Sequence, residues 1–157
     1  MGMRNNVTRM LDAKGIPYKV HEIPNKKLGA LDAAEFLGIP AKRMYKTIVA
    51  TRKDGGKPIL ALVPGNAAVE PKALARALGA TKVQISSLRE AEELTGLQTG
   101  GISPLALLQK GFQVVMDSSV NDHEQVYISG GQWGLNIQIS TDELIKITNA
   151  RVAKITR

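Results

Sequence analysis

The run Met44-Tyr45-Lys46-Thr47-Ile48-Val49-Ala50, followed by Asp54-Gly55-Gly56 and then Ile59-Leu60-Ala61-Leu62-Val63, constrains this chain more than any other feature. Aromatic Tyr45 and β-branched Ile48, Val49 and Thr51 predict a strand. Asp-Gly-Gly has hairpin-turn chemistry, and the apolar stretch from Lys57 to Val63 predicts the returning strand. The neighbours of Lys46 are mostly apolar or hydroxylated, so its ammonium sits close to a core. A lysine there is costly unless a partner or an anionic ligand meets it. The alternative is an edge-strand lysine that carries its amine out to water. On this stretch alone both readings stand.

The rest of the chain alternates strand and helix signals. Residues 4–14 predict a helix with Val7, Met10 and Leu11 on one face, stopped by Gly15 and Pro17. Residues 18–23 alternate as a strand. Residues 30–37 predict a short helix with Leu31, Ala34 and Leu37 facing inward, ended by Gly38. After the central hairpin, Pro71 opens a helix with Leu74 and Leu78 buried and Gly79 as its stop. Residues 82–86 predict a strand, and Ser87-Leu88-Arg89-Glu90 is a capping box for a helix running to about Thr95. Further strands are predicted over 113–116, 125–129, 135–139 and 150–155. A last helix is capped by Ser140 with Glu143 at the same spacing. Two glycine-rich turns stand out, Gly100-Gly101-Ile102-Ser103-Pro104 and Gly130-Gly131-Gln132-Trp133-Gly134. Turns of this kind let backbone approach a ligand closely, and their consecutive amides can bind an anion. Trp133 at the turn tip reads as an exposed contact residue or, by default, as a lid over the core. These signals predict one domain over residues 1–157. Its class is α+β, with a mixed, strongly twisted or barrel-like β-sheet and flanking helices.

Composition narrows the function classes. There are no cysteines, which removes disulfides, thiolate metal sites and a cysteine nucleophile. Neither histidine has a partner at metal-ligand spacing: His21 reads as a hydrogen-bonded strand residue and His123 as part of a turn. No cofactor and no metal are expected. The N-terminal residues lack the apolar stretch of a signal peptide, and no apolar run approaches a membrane span, so a cytoplasmic location is expected. The net charge of +7 is one-sided. Residues 1–80 hold fourteen Lys and Arg against six Asp and Glu, a balance of +8, while residues 81–157 hold seven against eight, a balance of −1. Such a field suits a polyanion such as RNA, read through phosphates and sugars because aromatics are only 4%. Solubilising surface charge is the plainer alternative.

Several familiar chemistries are missing. There is no Gly-x-Ser-x-Gly elbow, no His-Glu-x-x-His, no dinucleotide fingerprint and no carboxylate cluster. Gly55-Gly56-Lys57 does not have the spacing of a phosphate loop. What remains is Lys46, two glycine turns with Ser103 and Ser129, and a basic half. Those parts can hold a phosphate-bearing substrate and polarise a carbonyl, without an evident general base.

Tyr45-Lys46-Thr47, Gly100-Gly101-Ile102-Ser103-Pro104-Leu105, Tyr127-Ile128-Ser129-Gly130-Gly131 and Gly134-Leu135 together resemble the YbaK/EbsC family. That family groups with the editing domains of prolyl-tRNA synthetases. The run at 77–83 and Glu93-Leu94-Thr95-Gly96 extend the similarity over nearly the whole chain. The resemblance implies trans-editing deacylation of misacylated tRNA, most often Cys-tRNA(Pro), with Cys-tRNA(Cys) and Ala-tRNA(Pro) as related substrates. It implies that Lys46 is essential and meets the terminal adenosine's phosphate or the ester, and that Gly101 shares the catalytic role. It further implies that Gly100, Ile102, Ser103 and Pro104 line the aminoacyl pocket. Tyr45, Thr47, Ser129, Gly130, Gly131 and Asn136 complete the substrate-binding set. The attacking group is then the substrate's own thiol or a water, which agrees with the missing base. The implied partners are the 3′ aminoacyl-adenosine end of tRNA and prolyl-tRNA synthetase. The chain departs from the family pattern at Ile23 and Lys27-Leu28-Gly29, where relatives carry aromatics, and at Asn136, where they carry aspartate. Asn136 can hydrogen-bond a substrate but cannot act as a carboxylate. Two other readings fit the same residues: a noncatalytic tRNA- or synthetase-binding module, and a small-nucleotide or anion-binding protein.

Overall fold

The central hairpin forms as predicted and lies in the middle of the larger sheet. The computed structural model describes residues 4–157. Strands β1 (Tyr18–Glu22), β2 (Tyr45–Arg52), β3 (Ile59–Pro64), β4 (Val83–Ile85), β5 (Gln113–Asp117), β6 (Gln125–Ser129), β7 (Leu135–Ser140) and β8 (Arg151–Ala153) alternate with five helices. These are α1 (Asn6–Ala13), α2 (Ala30–Leu37), α3 (Pro71–Leu78), α4 (Leu88–Thr95) and α5 (Thr141–Thr148). Short 3₁₀ turns cover Ala41–Arg43, Pro104–Ala106 and Ser118–Asp122.

The strands divide into two sheets and do not close into a barrel among the described residues. Five strands in the order β4-β2-β3-β5-β8 make a mixed sheet. The β2–β3 and β2–β4 pairs are antiparallel, while β3–β5 and β5–β8 are parallel. Three strands in the order β1-β7-β6 make an antiparallel sheet. A single parallel bridge, Met44 to Tyr127, ties one sheet's edge to the other.

The continuous apolar run of β3 explains the layering. All six of its residues are buried, as expected of a strand covered on both faces. Leu60 and Leu62 pack with Ile128, Ile137, Ile139 and Leu144 between the sheets. Ile59, Ala61 and Val63 pack on the opposite face with Leu74 of α3 and with Ile155. The capping box predicted at Ser87 is present, with Ser87 and Glu90 bonded reciprocally. Ser140 accepts from the Glu143 N–H at 3.3 Å.

One expectation fails. Leu31 does not face inward; it is 55% exposed. The buried stripe of α2 is Ala33 and Ala34, with Ala30 and Leu37 partly buried against Met44 and Tyr127. Small residues win there because the helix lies close to the chain at Gly65, where an added Cβ would stand 3.0 Å from the Ala30 Cβ.

Candidate active site

The site follows from what happens to the edges of β2. One edge pairs with β3 along residues 45–50. The other is shared: β4 covers it from Ala50 onward, and the Met44–Tyr127 bridge covers its start. Among the described residues no strand pairs with this edge at residues 46–48. The Val49 carbonyl accepts from the Ser86 N–H on this side at 2.9 Å. Strand alternation therefore turns the N–H and C=O of Thr47 to the same open edge. A cavity of about 280 Å³ lies along it, large enough for a small ligand group but not for folded RNA. Because it straddles a strand edge, residues of both faces line it: Tyr45, Thr47 and Val49 from one, Lys46 and Ile48 from the other.

Lys46 is half-buried, and loss of hydration lowers its pKa from the ordinary lysine value. Among the described residues its hydrogen-bond partner is the Gly65 carbonyl, which accepts from Nζ at 3.3 Å. That carbonyl is held in place because the Gly65 N–H donates to the carbonyls of Met44 and Ala41. Among the described residues no carboxylate and no histidine line the cavity, and Lys46 is its charged group. Tyr45 contributes its ring to the wall. Its hydroxyl is engaged with Ser119 Oγ at 2.6 Å, and burial raises its pKa.

The two glycine turns meet each other. Trp133 spans them, its Nε1 donating to the Thr99 carbonyl at 2.9 Å. A Cβ on Gly101 would stand 3.0 Å from the Cα of Gln132. Gly100 has φ +93°, a backbone that favours glycine, and lies against Leu28. Gly100 and Ile102 reach the cavity, as do Ser129 and Asn136 from the opposing strands β6 and β7. Among the described residues, nothing accepts from the N–H of Gly100 or Ile102. Lys46 and the 100–102 turn thus share one cavity.

The other expected residues lie behind it. The Gly101 N–H is used by the Gln98 carbonyl at 2.8 Å. Ser103 is fully buried, its Oγ accepting from the Leu105 N–H. Pro104 borders a separate depression beside Leu107 and Phe112. The Gly130 N–H donates to the Leu135 carbonyl, and Gly131 packs on Ala106 and Val7. The Ser129 hydroxyl accepts from the Gly131 N–H at 3.2 Å. Asn136 is 3% exposed; its Nδ2 reaches Met44 Sδ at 3.4 Å, and its Oδ1 has no partner. His21 bonds Gln138 outside the cavity, and no metal-binding group of acidic, histidine or cysteine side chains exists among the described residues.

Ser86, Leu88 and Ala91 also line the cavity. Sequence reasoning placed Ser86 at the end of a strand and Leu88 and Ala91 in the capped helix that follows, and nothing in their local pattern signals a site.

Comparison with known proteins now decides the family. The profile of the aminoacyl-tRNA editing domain matches residues 26–147. The chain belongs to the aminoacyl-tRNA editing domain family. It is 32% identical over 155 residues to the "Putative Cys-tRNA(Pro)/Cys-tRNA(Cys) deacylase EbsC" of Enterococcus faecalis (strain ATCC 700802 / V583), covering 98% of this chain and 93% of that one. It is also 32% identical over 142 residues to a proline--tRNA ligase of Trichlorobacter lovleyi, covering 84% of this chain but 24% of the ligase. Among solved structures, the "hypothetical protein APE2540" superposes with a TM-score of 0.87 at 25% identity, over 98% of this chain and 100% of that one. The fold of a "putative trans-editing enzyme for prolyl tRNA synthetase" matches with a TM-score of 0.79 at 24% identity, over 99% of both chains. The editing domain therefore shares fold and family with YbaK/EbsC proteins, and its activity class is aminoacyl-tRNA editing. No helix among its described residues is long and apolar enough to cross a membrane.

Proposed function

We propose that this chain is a trans-acting deacylase that frees misacylated tRNA of its amino acid, with Cys-tRNA(Pro) as the foremost substrate. The observation that carries this reading is the single cavity shared by the desolvated Lys46 and the 100–102 turn. The Lys46 ammonium attracts the terminal phosphate or the ester oxygen. The amides of Gly100 and Ile102 meet the negative charge that develops on the ester carbonyl. Gly101 keeps the turn flush against Gln132, and Asn136 Oδ1 accepts from the aminoacyl group.

No side chain lining the cavity is an evident general base, so the substrate supplies its own nucleophile. The cysteine sulfur bonds to its own ester carbonyl carbon, the bond from that carbon to the ribose oxygen breaks, and the thiol proton ends on the departing ribose hydroxyl. The products are tRNA and a cyclic thiolactone that water opens to cysteine. Holding the sulfur beside the carbonyl makes the step intramolecular. The work takes place in the cytoplasm, where tRNA is charged, with prolyl-tRNA synthetase as the partner that delivers tRNA(Pro).

Asn136 favours a second reading. A neutral amide with a free carbonyl oxygen suits alanine as well as cysteine, with water as nucleophile and Ala-tRNA(Pro) as substrate. Incubating Cys-tRNA(Pro), Cys-tRNA(Cys) and Ala-tRNA(Pro) with wild type and Lys46→Ala tests both. Turnover of the cysteinyl substrates alone supports the thiol route, and turnover of Ala-tRNA(Pro) supports water attack. Binding of tRNA without loss of any acyl group leaves a noncatalytic module.

A further inference from the structure

Two residues that line the cavity each carry a buried side-chain oxygen with no hydrogen-bond partner among the described residues, Asn136 Oδ1 and Ser86 Oγ. Only the first belongs to the site derived so far. They stand at opposite ends. Asn136 touches Met44, while the Ser86 N–H is bonded to the Val49 carbonyl. Five residue steps of extended strand lead from Met44 to Val49, about 16 Å at ~3.3 Å per residue. Lys46 lies between them. The ends also differ in access. Met44, Leu135 and Asn136 are each at most 3% exposed, so that end is closed. Leu88 is 59% exposed and Ile85 37%, so the Ser86 end opens to solvent.

An aminoacylated tRNA is small at one end and very large at the other. A cavity of about 280 Å³ takes only the amino acid and the nucleoside that bears it. The remaining RNA must leave through the open end. We propose that Ser86, Ile85 and Leu88 form the nucleoside end of the cavity. Ser86 Oγ hydrogen-bonds the terminal adenosine, Ile85 and Leu88 lie against its base, and the amino-acid side chain points to Asn136. A hydroxyl both donates and accepts, so it matches a ribose hydroxyl or a base edge. A buried hydroxyl left unpaired is unfavourable, and a ligand that pairs it recovers that loss. The identity of the ligand rests on the deacylase reading; the position of the subsite does not.

The test uses the full chain and adenosine 5′-monophosphate as the probe. Calorimetric titration should show saturable binding to wild type, weakened about five- to ten-fold in Ser86→Ala. Ser86→Thr, which keeps the hydroxyl, should restore it, and Asn136→Ala should leave it unchanged. With misacylated tRNA, Ser86→Ala should raise KM by a similar factor at constant kcat and constant preference between cysteinyl and alanyl substrates. Asn136→Ala should change that preference. No saturable nucleotide binding by wild type, or equal binding by wild type and Ser86→Ala, overturns the proposal. Nucleotide binding that depends on Ser86, with no deacylation of any substrate by wild type, overturns the deacylase reading and leaves the nucleoside end standing.

Discussion

The glycine turns and the open edge of β2 look alike in sequence, since both are short segments with apolar neighbours and few charges. In the structure they do opposite things. Gly101, Gly130 and Gly131 are used up by chain packed against chain, with an added Cβ meeting Gln132, Leu135 or Ala106. Residues 46–48 of β2 pair with β3 on one edge only; among the described residues no strand covers the other edge, and the cavity forms along it. Glycine allows close approach, but the thing approached is here mostly the protein itself. An unpaired strand edge is the feature that leaves hydrogen-bonding groups for a ligand.

That contrast can be broken by mutation. The largest effect is expected at Lys46, whose one hydrogen bond among the described residues is 3.3 Å long. Lys46→Ala should lower single-turnover deacylation at least about a hundred-fold, with the melting temperature nearly unchanged. A large loss of stability instead would make Lys46 a structural residue. Gly130→Ala should behave in the reverse sense. Its Cβ would fall 2.5 Å from Leu135 Cγ in the buried core, so urea unfolding should show a loss of about 1–3 kcal/mol. Gly101→Ala, tight against the Gln132 backbone, sharpens the comparison: an activity loss exceeding its stability loss would restore that glycine to the chemistry.

Trp133→Phe removes the hydrogen bond that joins the two turns. It should cost about 1 kcal/mol, read as a melting point lower by about 2–4 °C. The smallest effect concerns pH. Burial lowers the Lys46 pKa below 10.5, so between that lowered value and 10.5 the unfolded chain binds more protons than the folded one. The penalty of burying the ammonium is present at neutral pH and is relieved as pH rises through this window. The stability advantage of Lys46→Met over wild type should shrink toward pH 10.5. Nucleotide binding should weaken on an alkaline limb below 10.5, and a limb at the ordinary lysine value would separate Lys46 from the ligand.

Much of the fold was legible because its signals are local. The Asp54-Gly55-Gly56 turn, the Ser87 capping box and the apolar run of β3 each act within a few residues, and each appears where expected. Leu31 was misplaced because helical spacing offers more than one inward stripe. The stripe chosen by α2 depends on how closely Gly65 lets it approach. In the site, Lys46, Thr47, Gly100, Ile102, Ser129 and Asn136 were all named from sequence and all reach the cavity. Ser86 was not, since its significance lies in the burial of its Oγ, which its local sequence does not encode.

The sequence alone determined the strands and helices, the one-sided charge, the absence of a histidine or cysteine nucleophile with a partner, and the lysine at the centre. Those are properties of neighbouring residues and of composition. Only the tertiary structure decided that β4 and β6 each cover part of one edge of β2 and leave three residues between them. That gap arises from contacts between segments dozens of residues apart, which no local pattern encodes, and it turns a lysine on a strand into a lysine in a cavity.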